Sequence, residues 1–412
     1  MTRNKEVDML RRLTSQYLDV CANPLQQQKR VLWRKHFDRQ GERPMVCIRP
    51  YCMGDTLYKY LNIECESPLF RDQEATLKQK LFMQSWGEDT VPYPWLDLNA
   101  SLDKSATVDY WGFSLNHETV AGGGKNVYHN VPLKTLEDIA KIRPPQLLYD
   151  EEKTAMDFEE LQKAVGDIIP IHIQRSPYRL FASEIICFLR GMEQVMFDMY
   201  DNPGFLKDLV KIVTDAELEQ YREADKNNFW RSADQFNYTG SLDCDDTASP
   251  EPNKPCAQGE AWGTFHAQEF TMVSPDMLNE FILHYEVPLM KQYKYISYGC
   301  CEDLTNKISL LKKTIPNLHT IGIAPAANLE SCATQIQNDF VISWRPNPAE
   351  VLSCNFDEKY IVEYISKRLS ILKENTCTVE ISLKDIVTVQ NDMSRFSRWT
   401  EIVKKSIEKI WS

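Results

Sequence analysis

The 412-residue chain has no stretch approaching the roughly 20 apolar residues that cross a bilayer, and its opening, MTRNKEVDMLRRLTSQYLDV, lacks the apolar core of a signal peptide. A cytosolic protein with no membrane partner is expected. Basic runs are missing too. The formal charge of -12 disfavours gripping phosphate backbones, so no nucleic-acid partner is expected. The 12 cysteines contain no Cys-x-x-Cys, which excludes a zinc ribbon and a thioredoxin-type pair. Cys47, Cys187 and Cys377 lie in apolar runs, as small hydrophobes do, and only the adjacent Cys300-Cys301 stands apart. Gly122-Gly123-Gly124 has neither the Lys-Ser/Thr of a P-loop nor dinucleotide-fingerprint spacing, so it reads as a flexible hairpin connection.

What is present reads as a packed, enzyme-sized body, with 43% hydrophobic and 26% charged residues, which argues against disorder. Amphipathic helices fill the first 40 residues and stop at the breaker Gly41-Glu42-Arg43-Pro44. A buried strand, Met45 to Ile48, follows, then helix from Asp55 to Glu88, and strand-like alternation from Tyr110 to Val120. Asp and Glu after Thr135 mark a helix start. From there strands at 168–174, 295–299, 319–324 and 340–344 alternate with helices, including a long pattern from Leu180 to Tyr200 and one opened by Ser274-Pro275. Such units imply parallel strands. No glycine-rich nucleotide loop follows any strand, so a closed (β/α)8 barrel is expected rather than a doubly wound sheet. The expected division is a helical extension over 1–43 and one α/β barrel over 44–412.

Candidate site residues gather at the carboxyl ends of these strands. His172 and Gln174 share a strand face, with Arg175 and Tyr178 just beyond. They suit substrate binding, although a strand histidine is often satisfied within the core. The long polar stretch 231–255 reads as a loop bordering the site. The segment 259–270, with Trp262, His266 and Glu269, mixes polar and aromatic residues as ligand pockets do; a surface turn is the plainer alternative. Tyr298-Gly299-Cys300-Cys301-Glu302 ends another strand. Alternation places Tyr298 on the face of Cys300 and sends Cys301 away unless the chain has turned there. Arg345 beside Trp344 suits a carboxylate or phosphate clamp, or a plain salt bridge. His319, at the start of its strand, belongs to the opposite, structural end. Tyr93, Asp97 and Asp109 are further acid or base candidates.

Leu189 to Pro203, Ser274-Pro275, Tyr298 to Glu302 and Ser343 to Glu350 resemble the uroporphyrinogen decarboxylase-like superfamily, over about residues 160 to 370. That resemblance implies a barrel with its pocket at the carboxyl face. The decarboxylase branch carries an Arg-Gln-Ala-Gly-Arg motif where this chain has Ile48-Arg49-Pro50-Tyr51-Cys52, so a substrate with many carboxylates is not expected. The corrinoid-linked methyltransferase branch holds zinc with a His-x-Cys; here the tripeptide is Tyr298-Gly299-Cys300, and tyrosine is a poor zinc ligand. The family's metal site therefore does not carry over as it stands: Cys300 reads as a metal ligand or reactive thiolate, or as a residue that merely lines a pocket, and if zinc is present Cys301, His266 and Glu269 are its complements, with Tyr298, Glu302 and Arg345 handling substrate and protons and Trp262 and Trp344 lining the pocket. The expected activity moves a methyl group between a small O- or N-methylated compound and a corrinoid. That cofactor would ride on a partner protein, because no Asp-x-His-x-x-Gly signature is present. A metal-independent decarboxylase using Arg175 and Arg345, and a non-catalytic barrel subunit, remain alternatives, and a homodimer is left open.

Overall fold

The computed structural model describes residues 3–103, 111–113, 117–119, 126–128, 131–177 and 180–411. The triple glycine, Asp109, Tyr178 and most of the 110–120 segment lie outside them.

The chain is α/β. The strands are β1 (Met45–Ile48), β2 (Leu96–Asn99), β3 (His117–Thr119), β4 (Asn126–Tyr128), β5 (Ile171–Gln174), β6 (Trp262–Phe265), β7 (Tyr295–Tyr298), β8 (Leu318–Ile323), β9 (Val341–Trp344) and β10 (Thr378–Leu383), and from β4 onward helical segments separate each from the next. Six form one sheet in the order β1-β10-β9-β8-β7-β6, all parallel, so that the last strand lies beside the first. β2 and β5 form a separate parallel pair, and β3 with β4 a short antiparallel hairpin.

Alternation explains the layers. Val46, Ile48, Ile296, Ile321, Ile342, Val379, Ile381 and Leu383 enter one large core shared with helices such as Glu358–Glu374 and Arg395–Trp411. The residues between them, including Cys47, Ser297, Ser343, Glu380 and Ser382, are small or polar, and equally buried on the opposite face.

Strand pairing is interrupted between β1 and β2 and between β5 and β6. Non-strand segments bridge both interruptions. Asp89 donates its amide to Val46 O (2.7 Å), Val91 donates to Gly240 O (2.9 Å), and Thr264 Oγ1 donates to Phe236 O (2.8 Å). Pro92 and Pro94 lack amide protons, which keeps the stretch before β2 out of a ladder.

The amino-terminal helices close two flanks. Helix Arg3–Ala22 packs with Pro68–Gln84 and Glu151–Val165 over the β2–β5 pair, forming a second core that includes Leu10, Tyr17, Leu77, Leu98 and Ile171. Helix Pro24–Phe37, capped by Asn23, sets Phe37 under the amino ends of β6 and β8, 5.2 Å from Trp262, with its carbonyl 2.9 Å from His319 Nε2. The expected 180–200 helix is split at Gly191 (φ 85°) into Ala182–Arg190 and Met192–Asp201. The start expected at Thr135 is a 3-10 turn, Leu136–Lys141, closed by a Thr135–Asp138 capping box. Among the described residues no helix is long and apolar enough to cross a membrane.

Candidate active site

Gly299 decides the local geometry. Its φ of 109° lies where side chains are rarely tolerated, and an added Cβ would meet Gly322 O at 3.0 Å. Strand alternation therefore ends at Tyr298. Its ring stays in the large core, fully buried, with no hydrogen-bond partner for its hydroxyl among the described residues. Burial first, then the fields of Glu302, Glu286 and Glu269, push that phenol well above its ordinary pKa. The expectation that Tyr298 shares the mouth with Cys300 is corrected: the glycine turn separates them.

The same turn brings both cysteine sulfurs to one place. Cys300 Sγ and Cys301 Sγ are 3.7 Å apart, the first half-buried and the second exposed. The turn is held at both polar ends. Glu302 accepts the Cys300 amide (2.7 Å) and the Ala267 amide (3.1 Å). The Arg345 guanidinium donates to Gly299 O (2.9 Å) and to Cys300 O, and lies under the Tyr238 ring (5.6 Å). Gly322 leaves room for that guanidinium, since a Cβ there would sit 2.5 Å from Arg345 Nη2. Glu302 and Arg345, expected to manage protons and substrate, instead position the cysteine-bearing turn.

Lys384, the first residue after β10, supplies the counter-charge. Its Nζ is 3.2 Å from Cys300 Sγ, 3.6 Å from Cys301 Sγ and 3.3 Å from Asp385 Oδ2. The hydrogen bond with Cys301, then Lys384 and Arg345, outweigh burial and Glu302 to bring the Cys300 thiol down to about 6. Cys301 shifts the other way, chiefly through that same hydrogen bond and then burial, and keeps its proton. The two sulfurs thus share one proton at neutral pH. Burial and Arg345 oppose the charge on Lys384, but Cys300, Asp385 and Cys301 prevail and raise its pKa.

The residues expected to hold zinc do not fit that ion. A lysine ammonium already contacts both sulfurs. His266 is kept neutral, the form that binds metal, since burial, aided by Lys384 and Arg345 and opposed by Glu302, lowers it to about 4, and its Nδ1 has no hydrogen-bond partner among the described residues, but its ring packs against Phe181 with centroids 3.8 Å apart. Glu269 accepts a hydrogen bond from Ser183 Oγ (2.7 Å). Among the described residues no three His, Cys, Asp or Glu side chains converge as ligands.

Other expected contacts are corrected by position. Trp262 opens β6 and so lies at the amino end, 4.9 Å from His319 and 5.3 Å from Tyr295, away from the mouth. Trp344 turns outward to stack on Tyr364 (6.3 Å). His172 is saturated in the core: Nδ1 accepts the Asn253 amide (2.9 Å) and Nε2 faces Asp234 Oδ1 (2.6 Å). Arg175 forms a bidentate pair with Glu151 (2.5 and 2.7 Å). Asp97 is bonded to Lys80 (3.0 Å) and Tyr93 to Asp243 (2.9 Å).

Gln174 lines two clefts. It borders a cleft of about 510 Å³ with Asn99, Tyr149, Asp234 and Phe236, and another of about 440 Å³ with Arg49, Tyr93, Trp95 and Asp97. Residues of the 231–255 loop wall both, Asp234 and Phe236 the first and Leu242 the second. Phe236 packs on Tyr238 (4.6 Å), and Tyr238 covers Arg345, so a short chain of contacts joins the first cleft to the Cys300 turn. Lys384 and Asp385 were missed by sequence reasoning; the signal available was a polar pair directly after the alternating run Thr378–Leu383.

No known family model matches the chain, and no curated protein matches it significantly. Among solved structures it is similar to a methyltransferase from Methanosarcina mazei, at 11% identity and a TM-score of 0.49, covering 93% of this chain and 98% of that one. Similarity so distant says nothing about the activity of this chain.

Proposed function

We propose that the chain is a methyltransferase of the uroporphyrinogen decarboxylase-like kind, its eight parallel strands tracing a (β/α)8 barrel opened at two seams. The reading is carried by one observation: a half-buried sulfur, Cys300, held 3.2 Å from a lysine ammonium at the carboxyl end of the strands. The Cys300 thiolate attacks the methyl carbon of an O- or N-methylated compound. The S–C bond forms as the C–O or C–N bond breaks, and the electron pair leaves on the heteroatom, which takes a proton from Lys384. Return of the methyl group requires an acceptor nucleophilic enough to displace the thiolate; a reduced corrinoid on a partner protein is of that class. Zinc has no role in this reading. The decarboxylase alternative is weaker, because Arg175 and Arg345 are already bonded within the protein.

The test is intact-protein mass after incubation with a panel of O- and N-methylated compounds, with and without reduced corrinoid protein. A methyl adduct on Cys300, absent from Cys300→Ala, is expected. Corrinoid methylation by Cys300→Ala at the wild-type rate, or no transfer across the panel, rejects the reading.

A further inference from the structure

A nucleophilic sulfur needs no neighbouring thiol to transfer a methyl group, yet a second one lies 3.7 Å away. Cys301 is exposed, whereas Cys300 is half-buried behind it. Lys384 contacts both, so negative charge is stabilised on whichever sulfur carries it. The Gly299 turn and the Glu302 and Arg345 braces hold the backbone of the pair in place.

We propose that Cys300 and Cys301 form a two-thiol redox centre in which a small peroxide oxidises Cys300 and Cys301 resolves the product to an intramolecular disulfide. The Cys300 thiolate attacks the outer oxygen of the peroxide, the O–O bond breaks, and the departing alkoxide or hydroxide takes a proton from solvent. Cys301 then attacks the sulfur of the resulting sulfenic acid. The S–S bond forms, the S–O bond breaks, and the hydroxyl leaves as water with the Cys301 proton. Two electrons pass from the thiols to the peroxide. Adjacent residues hold their Cα atoms about 3.8 Å apart, closer than most disulfides allow, so the ring is strained and an external dithiol reopens it. On the methyl-transfer reading the oxidised form lacks its nucleophile; the redox chemistry itself does not depend on that reading.

The test uses the full chain and one equivalent of hydrogen peroxide, followed by alkylation and peptide mapping. Wild type is expected to lose two hydrogens in mass, with Cys300 and Cys301 jointly protected from alkylation until dithiothreitol is added. Cys301→Ala, at an exposed position, is expected to accumulate several-fold more dimedone-trapped sulfenic acid on Cys300. Lys384→Gln is expected to slow the first step. The proposal is overturned if wild type traps as much sulfenic acid as Cys301→Ala, or if Cys301 bonds to another chain. Both readouts are chemical, so failure of methyl transfer leaves them intact.

Discussion

At the carboxyl ends of β2 and β5, polar side chains that look catalytic in sequence are bonded to one another: His172 to Asp234 and Asn253, Arg175 to Glu151, Asp97 to Lys80. At the ends of β7 and β10 lie two sulfurs, one exposed and one half-buried, and the charged residues around them serve to hold or polarise them. One side is architecture built from polar groups, and the other is chemistry mounted on it. Residue type cannot separate the two, because partner count does.

Substitutions on the two sides should therefore fail differently. Cys300→Ala is expected to lower transfer by about a thousandfold or more, as loss of a nucleophile does, with a stability loss of no more than about 1–2 kcal/mol at neutral pH. Asp234→Ala removes the partner of a fully buried imidazole and strands the amides of Arg175 and Ser176. It should cost about 3–5 kcal/mol of stability, while Cys300 in the surviving folded fraction alkylates normally. If Asp234→Ala instead abolishes turnover without loss of stability, the division of the mouth is wrong.

Lys384→Met sharpens the comparison within the sulfur side. Losing a cation in contact with the thiolate should raise the pH midpoint of Cys300 alkylation by roughly one unit from its value of about 6. Rates of iodoacetamide labelling against pH read this directly. An unmoved midpoint would mean that the Cys301 hydrogen bond and Arg345 lower the thiol without Lys384.

How much of this was legible beforehand depended on what each strand face carries. β1, β5, β7, β8 and β9 announce themselves as apolar runs. β2 is four residues, Leu96-Asp97-Leu98-Asn99, hidden behind Pro92 and Pro94. β6, Trp262-Gly263-Thr264-Phe265, has no aliphatic residue and reads as a pocket or a turn. In β10 the buried Glu380 and Ser382 dilute the apolar pattern, and with that strand went Lys384. The pairing of two sulfurs at Cys300 was readable from a cysteine pair ending a strand. Its chemistry was not, since the zinc expectation rested on resemblance and the ammonium beside the sulfurs comes from 84 residues away.

The remaining expected effect is on stability against pH, and its sign follows from the shared proton. In the folded chain Cys300 deprotonates near pH 6 while Cys301 keeps its proton far beyond the ordinary thiol range. In the unfolded chain both titrate near pH 8.5. Between about pH 6 and pH 8.5 the unfolded state binds more protons, so stability rises with pH. Above about 8.5 the unfolded chain has lost both protons and the folded pair still holds one, so the trend reverses. Wild-type urea stability minus that of the Cys300→Ala, Cys301→Ala double variant should therefore peak near pH 8.5, by on the order of 2 kcal/mol. A flat difference would show that folding shifts neither thiol, and the distinction between a chemical and an architectural side would then have to rest on accessibility alone.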